Sequence, residues 1–171
     1  MLYEPDEIIR HLKEQVVKAT PRADGVPSAM PVATSDQIEA VEAKLGFELP
    51  PLLKRIYREI GNGGCHLGPG YGLIGLPGGY DNDDGWNIVK TTNDVSDGLE
   101  WWDRMVVVCD WGCCMISCVD CSDDDFTVFR WDGNAFDDAT DNEAPSEELW
   151  TVEADTFDEW LLTPNVNSDT T

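Results

Sequence analysis

The chain has 171 residues, with 11 Lys and Arg against 34 Asp and Glu, which gives a formal charge of −23 and an isoelectric point near 4.1. Phosphate-rich partners need clustered basic side chains, so this balance excludes a general binder of nucleic acid or of an anionic membrane. Hydrophobic residues make up 42% of the chain, seven Trp among them, which indicates a folded core rather than a disordered acidic chain. The length is that of one domain.

The first half of the chain predicts three helices. An amphipathic helix over residues 5–18 and a Pro-rich linker form an accessory unit, residues 1–33, ahead of a main domain over residues 34–164 and a polar tail over 165–171. Thr34 and Gln37 fit a capping box, and Gly46 ends the helix that they begin. Pro51 suits the first turn of a third helix, which the glycines around Asn62 bring to an end.

The second half predicts a sheet. A glycine-rich segment, residues 61–80, surrounds a short strand at Leu73 and Ile74, and a helix carrying Trp101 and Trp102 is predicted over residues 92–103. Segments with period-two patterning at 105–110, 114–120 and 126–131 predict an antiparallel meander. A strand at 150–152 and a helix capped by Thr156 complete a single α+β domain, whose central, mostly antiparallel sheet is flanked by helices.

The negative charge is concentrated toward the C-terminal end. Residues 120–171 hold 16 acidic residues and one basic residue, Arg130. One interpretation of such a segment is a surface that keeps the protein soluble through self-repulsion. The other is a docking face for a cationic partner. Charge alone leaves both interpretations open.

The expected location of the protein follows from two features that the sequence does not show, a signal peptide and a membrane span. The N-terminal residues show no basic region followed by an apolar stretch, as a signal peptide would, and no apolar run approaches the ~20 residues of a membrane span. We therefore expect a cytoplasmic protein whose six cysteines are thiols.

Cysteine spacing is the first test for a metal or catalytic centre. Only Cys118 and Cys121 have the spacing of a zinc knuckle, so we expect buried core thiols, Cys121 being the exposed exception, with a zinc site as the alternative. Cys65 beside His66 is not the geometry of a nucleophile and its base, and the sequence has no hydrolase, zincin or P-loop motif. The sequence predicts neither an enzyme nor a bound cofactor or metal.

The order of the motifs along the chain resembles the SUKH superfamily. The resemblance covers about residues 34–162 and rests on Leu45-Gly46, Leu49-Pro50-Pro51, Ile60-Gly61-Asn62-Gly63-Gly64, Cys109-Asp110-Trp111-Gly112-Cys113 and Thr156-Phe157-Asp158-Glu159-Trp160-Leu161. It implies an α+β domain of the kind found in bacterial immunity proteins, which neutralise toxin domains of polymorphic or contact-dependent systems, and in fungal cell-wall regulators and viral members. It supplies no catalytic or binding residue to carry over.

Charge and resemblance together predict an immunity protein whose acidic surface binds a basic, nuclease-type toxin domain. Trp86 or another exposed aromatic side chain is the expected anchor. The predicted partner-binding residues are Asp81, Asp83, Asp84, Trp86, Asp123, Asp124, Asp125, Asp137, Asp138, Asp141, Glu143, Glu147 and Glu148.

Two other functions fit the same sequence. One is a non-catalytic regulatory scaffold that binds an endogenous cellular protein, as the fungal members suggest. The other is a small-ligand or metal-binding protein that uses the Cys and Gly-rich segments. Neither nucleic acid nor a membrane is an expected partner in any of the three.

Overall fold

The fold is known from a computed structural model that describes residues 3–18, 29–64, 67–68, 72–79, 86–96, 103–135 and 149–163. Its helices and strands make the α+β domain that the sequence predicts. The α-helices of these residues are α1 (Pro5–Lys18), α2 (Ser35–Leu45), α3 (Pro51–Glu59), α4 (Ile88–Ser96) and α5 (Phe157–Leu162). The strands are β1 (Met105–Gly112), β2 (Met115–Asp120), β3 (Val128–Asp132) and β4 (Trp150–Ala154), with a 3-10 turn at Gly133–Ala135.

Helix α2 begins and ends where its local chemistry predicts. The Thr34 hydroxyl accepts a hydrogen bond from the Gln37 backbone N–H at 3.2 Å, and the Gln37 side chain accepts one from the Thr34 N–H at 2.9 Å. Gly46 closes the helix with φ of 82°, a left-handed conformation that costs glycine little. The predicted capping box and stop signal are both confirmed.

Helix α3 connects the helical layer to the segment that follows it. Pro51 occupies its first turn, and Leu53, Ile56 and Tyr57 are fully buried. The Tyr57 hydroxyl donates to the Ile74 carbonyl oxygen at 2.7 Å, and burial raises the pKa of this phenol far above its usual value. Because the hydroxyl is paired, the ring can be buried without an unsatisfied polar group.

The segment after α3 is held by a buried asparagine. The Asn62 side-chain oxygen accepts from the Leu76 N–H at 2.8 Å, and the Asn62 N–H donates to the Met30 carbonyl at 3.2 Å. Beside it, Gly63 has φ of 80°, and a Cβ there would lie 2.7 Å from the backbone nitrogen of Gly75. The glycine is therefore required by the close approach of two backbones.

The four strands form one antiparallel sheet in the order β1-β2-β3-β4, which confirms the predicted meander. In its centre, Ser117 pairs with Cys109 on one side and with Arg130 on the other. Helix α4 packs against β1, and α5 packs against β4. The sheet and its helices enclose a core that includes Val106, Val107, Val108, Cys118, Val119, Val128 and Trp160.

Helix α1 belongs to the packed structure. Its residues Ile8, Ile9 and Leu12 are buried within the main core cluster, and the helix lies against α3. One ion pair across this contact joins the Asp6 carboxylate and the Arg55 guanidinium at 2.8 Å.

Two predicted elements differ from the structure. Leu73 makes only an isolated bridge with Gly64, so no strand forms at Leu73 and Ile74. Helix α4 starts four residues before the predicted one, because the Asn87 side chain accepts from the Lys90 N–H at 3.2 Å and so begins the helix. Trp101 and Trp102 lie outside the described residues.

The expected exposure of the cysteines is wrong in detail. Cys109, Cys118 and Cys121 are buried, whereas Cys113 and Cys114 are exposed. The reason is the position of the first hairpin turn: β1 continues to Gly112, so Cys113 and Cys114 form the turn, and Cys114 is not part of a strand. Burial raises the pKa of the Cys121 thiol to about 12.

Candidate partner-binding surface

The structure describes four of the predicted partner-binding residues. Asp123, Asp124 and Asp125 lie in the turn between β2 and β3, and Trp86 lies just before α4. The others fall outside the described residues: Asp81, Asp83, Asp84, Asp137, Asp138, Asp141, Glu143, Glu147 and Glu148.

Asp123 is engaged within its own turn. One carboxylate oxygen accepts from the Asp125 N–H at 3.1 Å, and the other accepts from the Thr127 hydroxyl at 2.8 Å. These bonds, the Asp125 N–H first, lower the pKa of the Asp123 carboxyl. Its carboxylate therefore shapes the loop that presents the next two aspartates.

Asp124 and Asp125 are exposed at the tip of this turn, and Phe126 follows them with φ of 55°. The Phe126 N–H donates to the Asp123 carbonyl at 3.2 Å, which closes a four-residue turn. A left-handed residue at this position of a hairpin is ordinarily glycine, since a side chain there costs about 1–2 kcal/mol. The backbone at Phe126 is therefore strained.

A groove of about 200 Å³ lies beside this turn. Its apolar walls include Pro51 and Leu52 at the start of α3, Phe126 of the turn, and Phe157 at the start of α5. Asp124 and Asp125 border it. The groove thus combines an apolar interior with acidic groups at its edge.

Arg55 is the basic residue of this groove, and two carboxylates already face it. Its Nη1 lies 2.8 Å from an Asp6 oxygen, and its Nε donates to Glu59 at 2.8 Å. The hydrogen bond to Glu59, followed by that to Asp6, raises the pKa of Arg55. The acidic edge is therefore not neutralised by this guanidinium.

Trp86 has a cation of its own chain over its ring. The Lys90 ammonium lies 4.5 Å from the ring centroid and 2.8 Å from an Asp94 oxygen. The expected attraction between this indole and a cation is thus already present within the molecule. A cationic side chain of a partner must displace Lys90 or approach the opposite face of the ring.

A polar network crosses all four strands. The Trp111 indole N–H donates to the Ser117 hydroxyl at 2.7 Å, and that hydroxyl donates to Glu153 at 2.5 Å. Arg130 pairs with the other oxygen of Glu153, and its guanidinium lies 4.3 Å from the centroid of the Trp111 ring. These contacts pair the part-buried charges of Arg130 and Glu153 and join the strands to one another, while the buried Arg130 Nε has no hydrogen-bond partner among the described residues.

Two absences hold for the described residues alone. Among them, no group of three or more His, Cys, Asp or Glu could hold a metal ion. In the same part of the chain, no helix has the length and apolar character needed to cross a membrane. Cys65 and His66 lie outside the described residues.

The groove residues Leu52, Phe126 and Phe157 were not among the predicted site residues. Each has an ordinary role in the sequence, as a residue of a buried helical stripe or of a strand. They come together only because the starts of α3 and α5 meet the β2–β3 turn. The run of aspartates before Phe126 is the local sequence feature that points to this surface.

The described architecture, an antiparallel four-stranded meander with helices packed against it, defines an α+β domain. The sequence model of the SMI1 / KNR4 family (SUKH-1) matches residues 32–163. The chain therefore belongs to the SMI1 / KNR4 family (SUKH-1), as the order of its motifs predicts. Comparison with curated proteins finds no significant match.

Proposed function

We propose that the protein is a bacterial immunity protein that binds a cognate toxin domain and neutralises it. Membership of the SUKH family carries this proposal, because it is consistent with an immunity-protein type of function and implies a protein partner. The protein acts without catalysis, as a cytoplasmic inhibitor in a contact-dependent or polymorphic toxin system.

The charge of the chain supports a basic toxin, of nuclease type. A nuclease must carry basic side chains to hold phosphate, and a charge of −23 attracts such a surface. The exposed carboxylates of Asp124 and Asp125, with the aspartates and glutamates of residues 81–84 and 137–148, are the proposed docking groups.

Co-expression tests this function. The domain to test is the basic C-terminal domain of any large secreted protein that is encoded next to the gene for this chain. We expect cells that express the domain alone to die, and cells that also express this chain to survive. In solution, an equimolar amount of the chain is expected to stop nucleic-acid cleavage by the purified domain.

Two results would count against the proposal. Cleavage that continues at a several-fold excess of the chain would exclude inhibition by binding. Normal toxin activity, together with altered growth when the gene for this chain is deleted, would favour the regulatory scaffold. A catalytically inactive form of the toxin domain is the control for effects of expression alone.

A further inference from the structure

We propose that the groove beside the β2–β3 turn binds one apolar side chain of a protein partner, next to a Lys or Arg of the same partner segment. The inference rests on the proposed function, and it identifies the anchoring contact of that interface.

The groove has the size and the walls for one large apolar side chain. Its volume of about 200 Å³ is many times the ~10–15 Å³ that a cavity needs to hold one water molecule. Leu52, Phe126 and Phe157 supply apolar carbon from three separate elements. A side chain that enters is desolvated on several sides, which is the property of interface residues that dominate binding.

The strained backbone at Phe126 supports a functional role for its side chain. A glycine would fit φ of 55° without strain, yet a phenylalanine occupies the position and lines the groove. Unfavourable backbone conformations of this kind cluster at ligand-binding sites, where the surrounding structure holds them. Here Asp123 holds the turn with bonds to Asp125 and Thr127.

The charge at the edge of the groove determines which type of residue should stand next to the apolar residue in the partner segment. Asp124 and Asp125 border the groove, while Arg55 is matched by Asp6 and Glu59. A segment with a cation beside its apolar residue meets complementary charge at this edge, and a segment with an anion meets repulsion.

An anionic ligand is the competing possibility, because α1, α3 and α5 all begin near the groove. The N-terminus of a helix carries only about half an elementary charge, and acidic residues occupy the first turns of α1 and α5. The full negative charges of Asp124 and Asp125 therefore outweigh the helix N-termini, and the groove favours a cationic group over an anionic ligand.

Short peptides test the groove without the toxin. We expect a pentapeptide with a Lys-Phe-Lys centre to cause saturable shifts in the amide NMR signals of Leu52, Asp125 and Phe126, with a dissociation constant on the order of 1 mM. Peptides with Lys-Ala-Lys or Glu-Phe-Glu centres should bind at least ten-fold more weakly. Equal binding of the Glu-Phe-Glu peptide, or shifts by inorganic phosphate at the same amides, would overturn the proposal.

Substitutions test the groove in the complex with the toxin domain. Phe126→Gly removes the groove wall and fits the backbone, and Asp124→Lys with Asp125→Lys reverses the edge charge. Each is expected to raise the dissociation constant at least ten-fold. Cys114→Gly, at the left-handed position of the other hairpin, and Glu39→Lys, exposed on α2, are the matched controls and should change it less than two-fold.

The outcomes distinguish failure of the groove proposal from failure of the proposed function on which it rests. If the wild-type chain neutralises the toxin and both groove variants bind as tightly as the controls, the groove is not the anchor and the proposal fails. If the Lys-Phe-Lys peptide binds the groove while the toxin is never bound, the groove site stands and the proposed function fails. The charge-reversed pair keeps the test decisive should Phe126→Gly not fold.

Discussion

At the scale of single residues, the first hairpin turn departs from the usual turn chemistry. Gly112 pairs with Met115, and the two residues between them, Cys113 and Cys114, have φ of 49° and 60°. Two-residue turns with positive φ at both positions strongly prefer Asn-Gly, because a Cβ is disfavoured there. The turn is held in place by hydrogen bonds from Asn134 to the Cys113 carbonyl and from Gly133 to the Cys114 carbonyl.

We expect replacement of the turn by Cys113→Asn with Cys114→Gly to raise the free energy of unfolding by about 1–2 kcal/mol, because it relieves the strain of positive φ. Urea unfolding followed by fluorescence measures the change. Cys113→Ala with Cys114→Ala is the control, since it removes both thiols and keeps the strain. A gain of equal size in that control would trace the effect to the thiols.

Asp123 makes stability depend on pH. Its pKa is lowered in the folded protein, so its contribution is fully present above the unfolded pKa of about 3.9 and is lost as the pH falls through the folded pKa. We expect Asp123→Asn to be less stable than the wild type above about pH 5 and equally stable in strong acid. Unfolding by urea across this pH range gives both curves.

Asp124→Asn provides the comparison for the acid experiment. Asp124 is exposed at the tip of the same turn. The unfolding free energy of this variant should follow the pH dependence of the wild type. A curve for Asp123→Asn that also parallels the wild type would show that the turn bonds contribute nothing to acid stability.

At the scale of elements, α1 is joined to α3 by apolar burial more than by charge. Leu12 is fully buried, whereas the Asp6 side chain that pairs with Arg55 is 89% exposed. We expect Leu12→Ala to lower the free energy of unfolding by about 2–4 kcal/mol and Asp6→Asn by less than about 1 kcal/mol.

Val17 offers a matched control on the same helix, because its side chain is 84% exposed. Val17→Ala should change the free energy of unfolding by less than about 0.5 kcal/mol. If Leu12→Ala were as mild as Val17→Ala, α1 would be only loosely attached to the domain in solution. Thermal or urea unfolding of the three variants under one set of conditions makes the comparison.

Elements with strong local signals were predicted correctly, with one exception at the start of α4. The bonds of Thr34 with Gln37, and the left-handed Gly46, fix α2 through contacts within a few residues. The start of α4 was missed although Asn87 lies three residues before Lys90, the spacing of a cap. The turn at Cys113 and Cys114 was missed because neither residue is a usual turn former.

At the scale of the whole molecule, a charge of −23 should act mainly on the rate of encounter with a basic partner. Screening shortens the range of such forces from about 10 Å at 0.1 M salt to about 3 Å at 1 M. We expect the association rate constant with the toxin domain to fall at least ten-fold between about 0.05 and 0.5 M NaCl, and the dissociation rate constant to change much less.

Stopped-flow mixing measures both constants. Asp138→Lys and Asp124→Lys should each lower the association rate and weaken its salt dependence, and Glu39→Lys on α2 shows the effect of charge reversal at an exposed position outside the proposed face. An association rate that does not change with salt or with the charge reversals at Asp138 and Asp124 would remove the electrostatic part of the proposed mechanism.

The location of the proposed interaction surface was only partly predictable from sequence. The acidic residues near 123–125 are visible as a run, and they do border a groove. The apolar residues of that groove come from positions 51, 52, 126 and 157, which no local pattern connects. A surface formed by distant segments requires the tertiary structure, whereas a charge run does not.

The order of the strands has a consequence for how soon a new molecule can act. Strand order along the sheet equals order along the chain, and only two residues separate β1 from β2. Each strand pairs with the next strand along the chain, so we expect such a mixed domain to fold within about a second. Ribosomal synthesis of 171 residues takes roughly 10–30 s at about 5–20 residues per second. The supply of folded protein is therefore set by translation, and a cell that needs more of it must make more chains.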